Sequence, residues 1–78
     1  MELNKKAILA EMDKEKLALT MYDLELDDIV DKFTLSELKM LYVRVYAISP
    51  RSNASKSELV KSIWGMARSF KRRDAFNR

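Results

Sequence analysis

Basic side chains recur near the end of the chain at intervals that place them on one face of a helix. At 100° per residue, Lys61, Arg68 and Arg72 share a narrow arc of the helix. Gly65 lies on the same face, between Lys61 and Arg68 along the helix. Lysine and arginine side chains neutralise phosphate groups, and several on one face can follow a phosphodiester backbone. The spacing therefore predicts a phosphate-binding helix face.

Gly65 is the only glycine of the chain. Glycine in a helix interior costs about 1 kcal/mol relative to alanine. No packing demand is evident between Lys61 and Arg68, so close approach of a phosphodiester is one explanation for the glycine. A glycine that the helix simply tolerates is the other explanation.

A run of cations and aromatic rings continues beyond this face. Residues 70–73 read Phe-Lys-Arg-Arg, and Phe76 and Arg78 follow. Such clusters contact phosphates while their rings pack or stack on bases. Cations near a helix C-terminus also complement the helix dipole, which is an ordinary structural explanation. Lys71 and Arg73 join the candidate binding residues on the first interpretation.

The start of the same helix is a second candidate site for an anion. Free backbone amides at a helix N-terminus attract anions, and here hydroxyl, amide and cationic side chains surround them. These residues are Arg51, Ser52, Asn53, Ser55, Lys56 and Ser57. An ordinary helix cap explains the same residues without a ligand.

Most residue types that enzymes use are missing. The chain contains no histidine and no cysteine, so the commonest general base and the usual zinc ligands are absent. No glycine-rich phosphate loop or nucleophile elbow is present. Asp27, Asp28 and Asp31 attract cations, but neighbouring acids on a helix do not converge as a calcium loop does. We expect no enzymatic activity, no metal and no cofactor.

Length and composition limit the fold. With 78 residues, the chain can form one small domain with a thin core, which leaves little room for a deep substrate cleft. One glycine and one proline cannot supply the turns of an all-β fold. No apolar run approaches the ~20 residues of a membrane span, and the N-terminus lacks the features of a signal peptide. We therefore expect a cytoplasmic protein without membrane contact.

The charge is divided unevenly along the chain. Residues 1–33 carry five lysines and nine acidic residues, a net charge of −4. Residues 34–78 carry ten basic and three acidic residues, a net charge of +7. An acidic N-terminal part followed by a basic C-terminal part indicates a basic binding surface near the end of the chain.

The apolar periodicity predicts an all-α fold, a small bundle of three to four helices in one domain over residues 1–78. The first helix, about 4–19, is weakly amphipathic: Ile8, Met12 and Leu19 share a stripe, and Leu17 points away from it. We expect this helix to be loosely attached or to pair with a second copy of the chain.

The remaining helices have clearer boundaries. The second covers about 23–33, and the third and fourth begin with capping boxes at Thr34 and Ser55. A loop over 49–54 separates the last two. The third helix is apolar on two sides, which indicates a central position or an exposed apolar surface. The predicted buried arc of the fourth is Leu59, Val60, Ile63, Ala67 and Phe70, with Trp64 and Met66 beside it.

Residues 34–64 resemble the helix–extended loop–helix family, which includes SAP domains and the small N-terminal module of the transcription terminator Rho. The matching segments are Thr-Leu-Ser-Glu-Leu-Lys from Thr34, Ile48, and Ser-Lys-Ser-Glu-Leu-Val from Ser55, with Ile63 one turn later. SAP domains usually carry a glycine in the loop where this chain has Asn-Ala, so the Rho-like members are the nearer match.

The resemblance implies a helix–extended loop–helix motif over residues 34–73 that binds DNA or RNA. Carried over by position, it implicates Lys56 with its neighbours Arg51, Ser52, Asn53 and Ser55. Some members of the family bind proteins instead, so the function transfers less directly than the fold.

Two functions remain open. The first is a nucleic-acid-binding module that takes DNA or RNA through its basic helix and the preceding loop. The alternative is a protein-interaction module, such as a small inhibitor or adaptor of a bacterial or phage system, acting through acidic or apolar helix faces. The residues for this alternative are Asp27, Asp28, Asp31, Met40 and Val43. A homodimer through the N-terminal helix is compatible with both.

Overall fold

Every regular element in the described part of the chain is an α-helix, as the composition predicts. The computed structural model describes residues 3–76, with side chains as far as Arg73. The helices are α1 (Lys5–Ala10), α2 (Lys14–Tyr22), α3 (Leu26–Lys32), α4 (Leu35–Tyr46) and α5 (Lys56–Phe76). Within this range, no helix combines the length and the apolar character needed to cross a membrane.

The described chain has five helices rather than the three to four predicted, because the first predicted helix is divided at residues 11–13. The Asp13 carboxylate accepts hydrogen bonds from backbone N–H groups of the next turn and so caps α2. Arg44 of α4 donates through Nη1 to the carbonyl oxygens of Leu9 (2.7 Å) and Glu11 (2.9 Å). These contacts satisfy carbonyl groups that the end of α1 leaves without a helical partner.

The division changes which side of this segment is buried. Leu17, predicted to point away from the apolar stripe, is fully buried in α2 with Ala18 and Met21. Met12, predicted on the stripe, lies in the connection between α1 and α2 and is 73% exposed. Because α2 packs against α5, the predicted loose attachment is wrong for this half of the segment.

The predicted capping box at Thr34 is confirmed. Thr34 Oγ accepts from the Glu37 N–H at 3.1 Å, and Glu37 Oε1 accepts from the Thr34 N–H at 2.8 Å. The helix that follows ends before the predicted stop at Ser49, because Ala47 adopts the left-handed conformation with φ of 62°. Residues 47–55 then form the connection to α5.

The predicted buried arc of α5 is confirmed. Its members are Leu59, Val60, Ile63, Ala67 and Phe70, and all five are buried. The indole of Trp64 is partly buried, and its Nε1 donates to the Met21 carbonyl oxygen at 2.8 Å. Glu15 at the start of α2 pairs with Arg73 near the end of α5, so the two helices are antiparallel. This packing turns the opposite face of α5 outward.

The salt bridge between α1 and α4 makes a testable contribution at low pH. A hydrogen bond from Lys5 Nζ at 2.8 Å, and another from the Thr34 N–H, lower the pKa of Glu37 below its ordinary value of 4.5. A depressed folded-state pKa stabilises the fold fully above the ordinary value, and this contribution is lost as pH falls through the folded-state pKa. We expect Glu37→Gln to flatten the decline in the free energy of unfolding below pH 4.5, measured by urea titration.

Lys5→Gln is the companion variant, because it removes the largest cause of the shift. This variant should also flatten the decline in the free energy of unfolding below pH 4.5. If the free energy of unfolding falls with pH equally in both variants and in the unsubstituted protein, the Lys5–Glu37 contact does not contribute to stability in solution.

Candidate nucleic-acid interface

Four cations of α5 form one exposed surface, which we call the basic ridge: Lys61, Arg68, Lys71 and Arg72. At 1.5 Å of rise per residue, the ridge extends about 16 Å along the helix. Among the described side chains, none of the four forms a salt bridge with a carboxylate. The ridge therefore presents positive charge to an external anion.

Two ridge cations lie against an aromatic ring of α2. Lys71 Nζ is 4.9 Å and Arg68 Cζ is 6.0 Å from the centroid of the Tyr22 ring, both within the range of cation–π attraction. Trp64 contacts the same ring edge to face, with centroids 6.4 Å apart. Arg68 thus has Tyr22 as its aromatic neighbour. These contacts place both cations beside the Tyr22 ring.

Two other predicted binding residues are paired within the chain. Arg73 Nη2 lies 3.0 Å from Glu15 Oε2, and Arg51 Nη2 lies 3.1 Å from Glu58 Oε2. Exposed pairs of this kind contribute up to about 1 kcal/mol and are screened by salt. Both arginines stay at the surface with their charge partly neutralised, so the basic ridge is the stronger anion site.

The connection before α5 presents short polar side chains. Ser52, Asn53 and Ser55 are exposed. Ser55 Oγ accepts from the Glu58 N–H at 3.2 Å, which is one half of the predicted capping box. The Glu58 carboxylate pairs with Arg51, as described above. The helix start is therefore stabilised by an ordinary cap, with its polar groups still accessible.

Lys56 lies on a different side of α5 from the basic ridge. Its Nζ donates to the Val30 carbonyl oxygen at 3.0 Å, in the last turn of α3. A cation at that position complements the negative end of the helix dipole. Around the α5 axis, Lys56 is about 140° from Lys61. The structure thus groups the ridge residues but gives Lys56 a partner inside the protein.

Gly65 lies beside the ridge, where a side chain would have room. A Cβ added there would approach Arg68 Nη2 at 3.9 Å, an ordinary contact with a flexible side chain. We expect Gly65→Ala to raise the free energy of unfolding by about 0.5–1 kcal/mol, measured by chemical denaturation, because alanine is the better helix former. A stabilised variant with weaker nucleic-acid affinity supports close approach of the ligand backbone, whereas unchanged affinity rules out that role.

The surfaces of the alternative function are also accessible. Asp27, Asp28 and Asp31 are exposed on α3. On α4, Met40 is 42% and Val43 is 41% exposed. The third predicted helix therefore buries one apolar side in the bundle and leaves the second at the surface. Among the described side chains, residues 3–73, no group of three or more histidine, cysteine, aspartate or glutamate residues is arranged to hold a metal ion.

No known protein family matches this chain, and no curated protein or solved structure shows significant similarity to it. The function is therefore inferred from the geometry of the site itself.

Sequence reasoning missed Tyr22 as a member of the site. Its spacing from Leu26 and Ile29 assigned it to an apolar stripe of the second predicted helix. It belongs instead to the end of α2, where the packing of α2 on α5 brings it to Arg68. No local pattern signals a contact between residues so far apart in the chain.

Proposed function

We propose that this protein is a small, non-enzymatic nucleic-acid-binding module of the cytoplasm. The basic ridge would contact the phosphate backbone of DNA or RNA, and the connection before α5 would orient the strand. On this proposal, α4, the connection and α5 serve as the helix–extended loop–helix motif that the sequence resembles. The observation that carries the proposal is the exposed row of Lys61, Arg68, Lys71 and Arg72, for which the described side chains supply no carboxylate partner.

Recognition on this proposal is electrostatic rather than sequence-specific. Phosphate contacts position a protein on nucleic acid but carry no base information. Two residues of the ridge, Arg68 and Arg72, are of the type that makes bidentate contacts to a base. Both lie in a row with lysines along α5, which suits contacts to successive phosphates. We therefore expect similar affinities for strands of different sequence.

The test is a titration of fluorescein-labelled DNA and RNA strands at two salt concentrations. Neutralising about four phosphates gives a slope of log K against log salt near −2.8 for a single strand. A fourfold increase in salt should then weaken binding about 50-fold. A dissociation constant above about 10⁻⁴ M at low salt contradicts the proposal, because non-specific binders reach that affinity even at physiological salt.

The alternative function, a protein-interaction module, is favoured by one specific observation. Met40 and Val43 are large apolar side chains left at the surface of α4. If this surface binds a protein, serine at both positions should abolish that complex, as should asparagine at the three exposed aspartates of α3. The same substitutions should leave nucleic-acid affinity nearly unchanged under the leading proposal.

Self-association through the N-terminal helix is compatible with either function. Sedimentation of the full chain over a range of concentrations tests it directly. A mass that stays at one chain throughout contradicts a homodimer.

A further inference from the structure

Tyr22 lies beside the basic ridge, in a position that phosphate binding alone does not require. Its ring is partly buried, at the end of α2. Two of the four ridge cations, Arg68 and Lys71, lie over it at 6.0 Å and 4.9 Å from the centroid. The ring thus lies where a strand bound to these cations would pass.

The cations and the ring together suit a strand with exposed bases. A phosphate attracts Arg68 and Lys71 more strongly than a neutral ring does, because the phosphate carries a full negative charge. When the two cations move to phosphates, the face of Tyr22 is uncovered. A nucleobase of the same strand can cover that face again by stacking, as bases do on aromatic rings in single-strand-binding proteins.

From this arrangement we propose that Tyr22 is a base-stacking platform and that the ligand is a single-stranded nucleic acid. The inference rests on the proposed function, since the ridge must first hold the phosphates. In a duplex the bases are stacked on one another and expose only their edges in the grooves. A duplex therefore reaches the ridge cations but not the ring.

Trp64 supports the platform without serving as one. Its Nε1 donates to the Met21 carbonyl oxygen at 2.8 Å. Its ring meets Tyr22 edge to face at 6.4 Å between centroids. These contacts fix the orientation of Tyr22 relative to α5. Because it is the only tryptophan of the chain, its fluorescence reports directly on what happens at the Tyr22 ring.

The experiment compares three labelled ligands of about 12 nucleotides at one salt concentration. They are an oligo(dT) strand, the matching oligo(dT)–oligo(dA) duplex, and an abasic strand with the same number of phosphates. We expect the unsubstituted protein and Tyr22→Phe to bind the oligo(dT) strand about tenfold more tightly than the abasic strand. Trp64 emission should change more with oligo(dT) than with the abasic strand, because both strands draw the cations from the Tyr22 ring but only oligo(dT) can stack on it.

Tyr22→Leu is the decisive variant. It should weaken oligo(dT) binding about tenfold, with the duplex and abasic affinities and the salt slope retained. Equal weakening for all three ligands shows that Tyr22 only positions Arg68 and Lys71, and it overturns the stacking proposal. If Tyr22→Leu does not fold, the comparison of oligo(dT) with the abasic strand on Tyr22→Phe decides the matter alone.

The two proposals fail in distinguishable ways. Salt-dependent binding with equal affinity for the base-bearing and abasic strands retains the proposed function and overturns the role of Tyr22. Absence of binding to any of the three ligands at low salt overturns both.

Discussion

Replacing Lys61, Arg68 and Arg72 with glutamine should weaken binding to a single strand by two to three orders of magnitude at about 50 mM salt. The substitutions remove three of the four cations of the basic ridge, and each phosphate contact contributes about −0.7 to the salt slope. The slope should therefore fall from near −2.8 to near −0.7. All three side chains are exposed, so the fold should be retained, which a thermal melt checks.

A matched control separates the ridge from net charge. Lys6, Lys14 and Lys32 are exposed lysines of the acidic half, and replacing them with glutamine also lowers the net charge from +3 to zero. This control variant should bind the single strand no more than a few-fold more weakly than the unsubstituted protein does. If both triple variants lose equally, the protein binds through its overall charge. Unchanged affinity in the ridge variant contradicts the assigned interface.

The largest effect on stability is expected for Leu17→Ala. Leu17 is fully buried in α2 among core residues that include Met21 and Ile63. Truncating a buried leucine costs about 2–5 kcal/mol, from lost transfer energy and from the cavity left behind. A domain of this size has a free energy of unfolding of roughly 4–12 kcal/mol. Urea denaturation should therefore show a free energy of unfolding lower by about 3 kcal/mol, and a thermal melt should show a clear fall in Tm.

Met12→Ala is the control for this prediction. The apolar periodicity predicts Met12 on the apolar stripe of the first helix and Leu17 away from it, whereas in the structure Met12 is exposed and Leu17 is buried. Because Met12 is 73% exposed, its truncation should change stability by less than about 0.5 kcal/mol. A larger loss for Met12→Ala than for Leu17→Ala would support one continuous N-terminal helix and contradict the division into α1 and α2.

Local sequence signals predicted two features of the second half of the fold, the start of α4 and the buried arc of α5. The reciprocal cap of Thr34 and Glu37 is a short-range pattern, and it forms. The apolar spacing of α5 predicted its buried arc, and so also the outward face that carries the basic ridge. Both signals work because a cap and a helix face depend on residues within one or two turns.

Contacts between side chains and residues distant in the chain could not be predicted from these local signals. Arg73 pairs with Glu15, Lys56 reaches the Val30 carbonyl, and Arg44 holds the end of α1. Each contact depends on how two helices pack, and no local spacing encodes it. These pairings change the candidate site, because they partly neutralise Arg73 and turn Lys56 away from the ridge.

The sequence by itself determined the all-α class, the start of α4 and the basic face of α5, because helix propensity, caps and periodicity act over a few residues. The tertiary structure alone decided that the N-terminal segment divides at residues 11–13 and that Leu17 enters the core. It also decided that Tyr22 meets Arg68 and Lys71. The physical reason is that packing selects among locally acceptable helices by the apolar surface they bury together, which depends on all the helices at once.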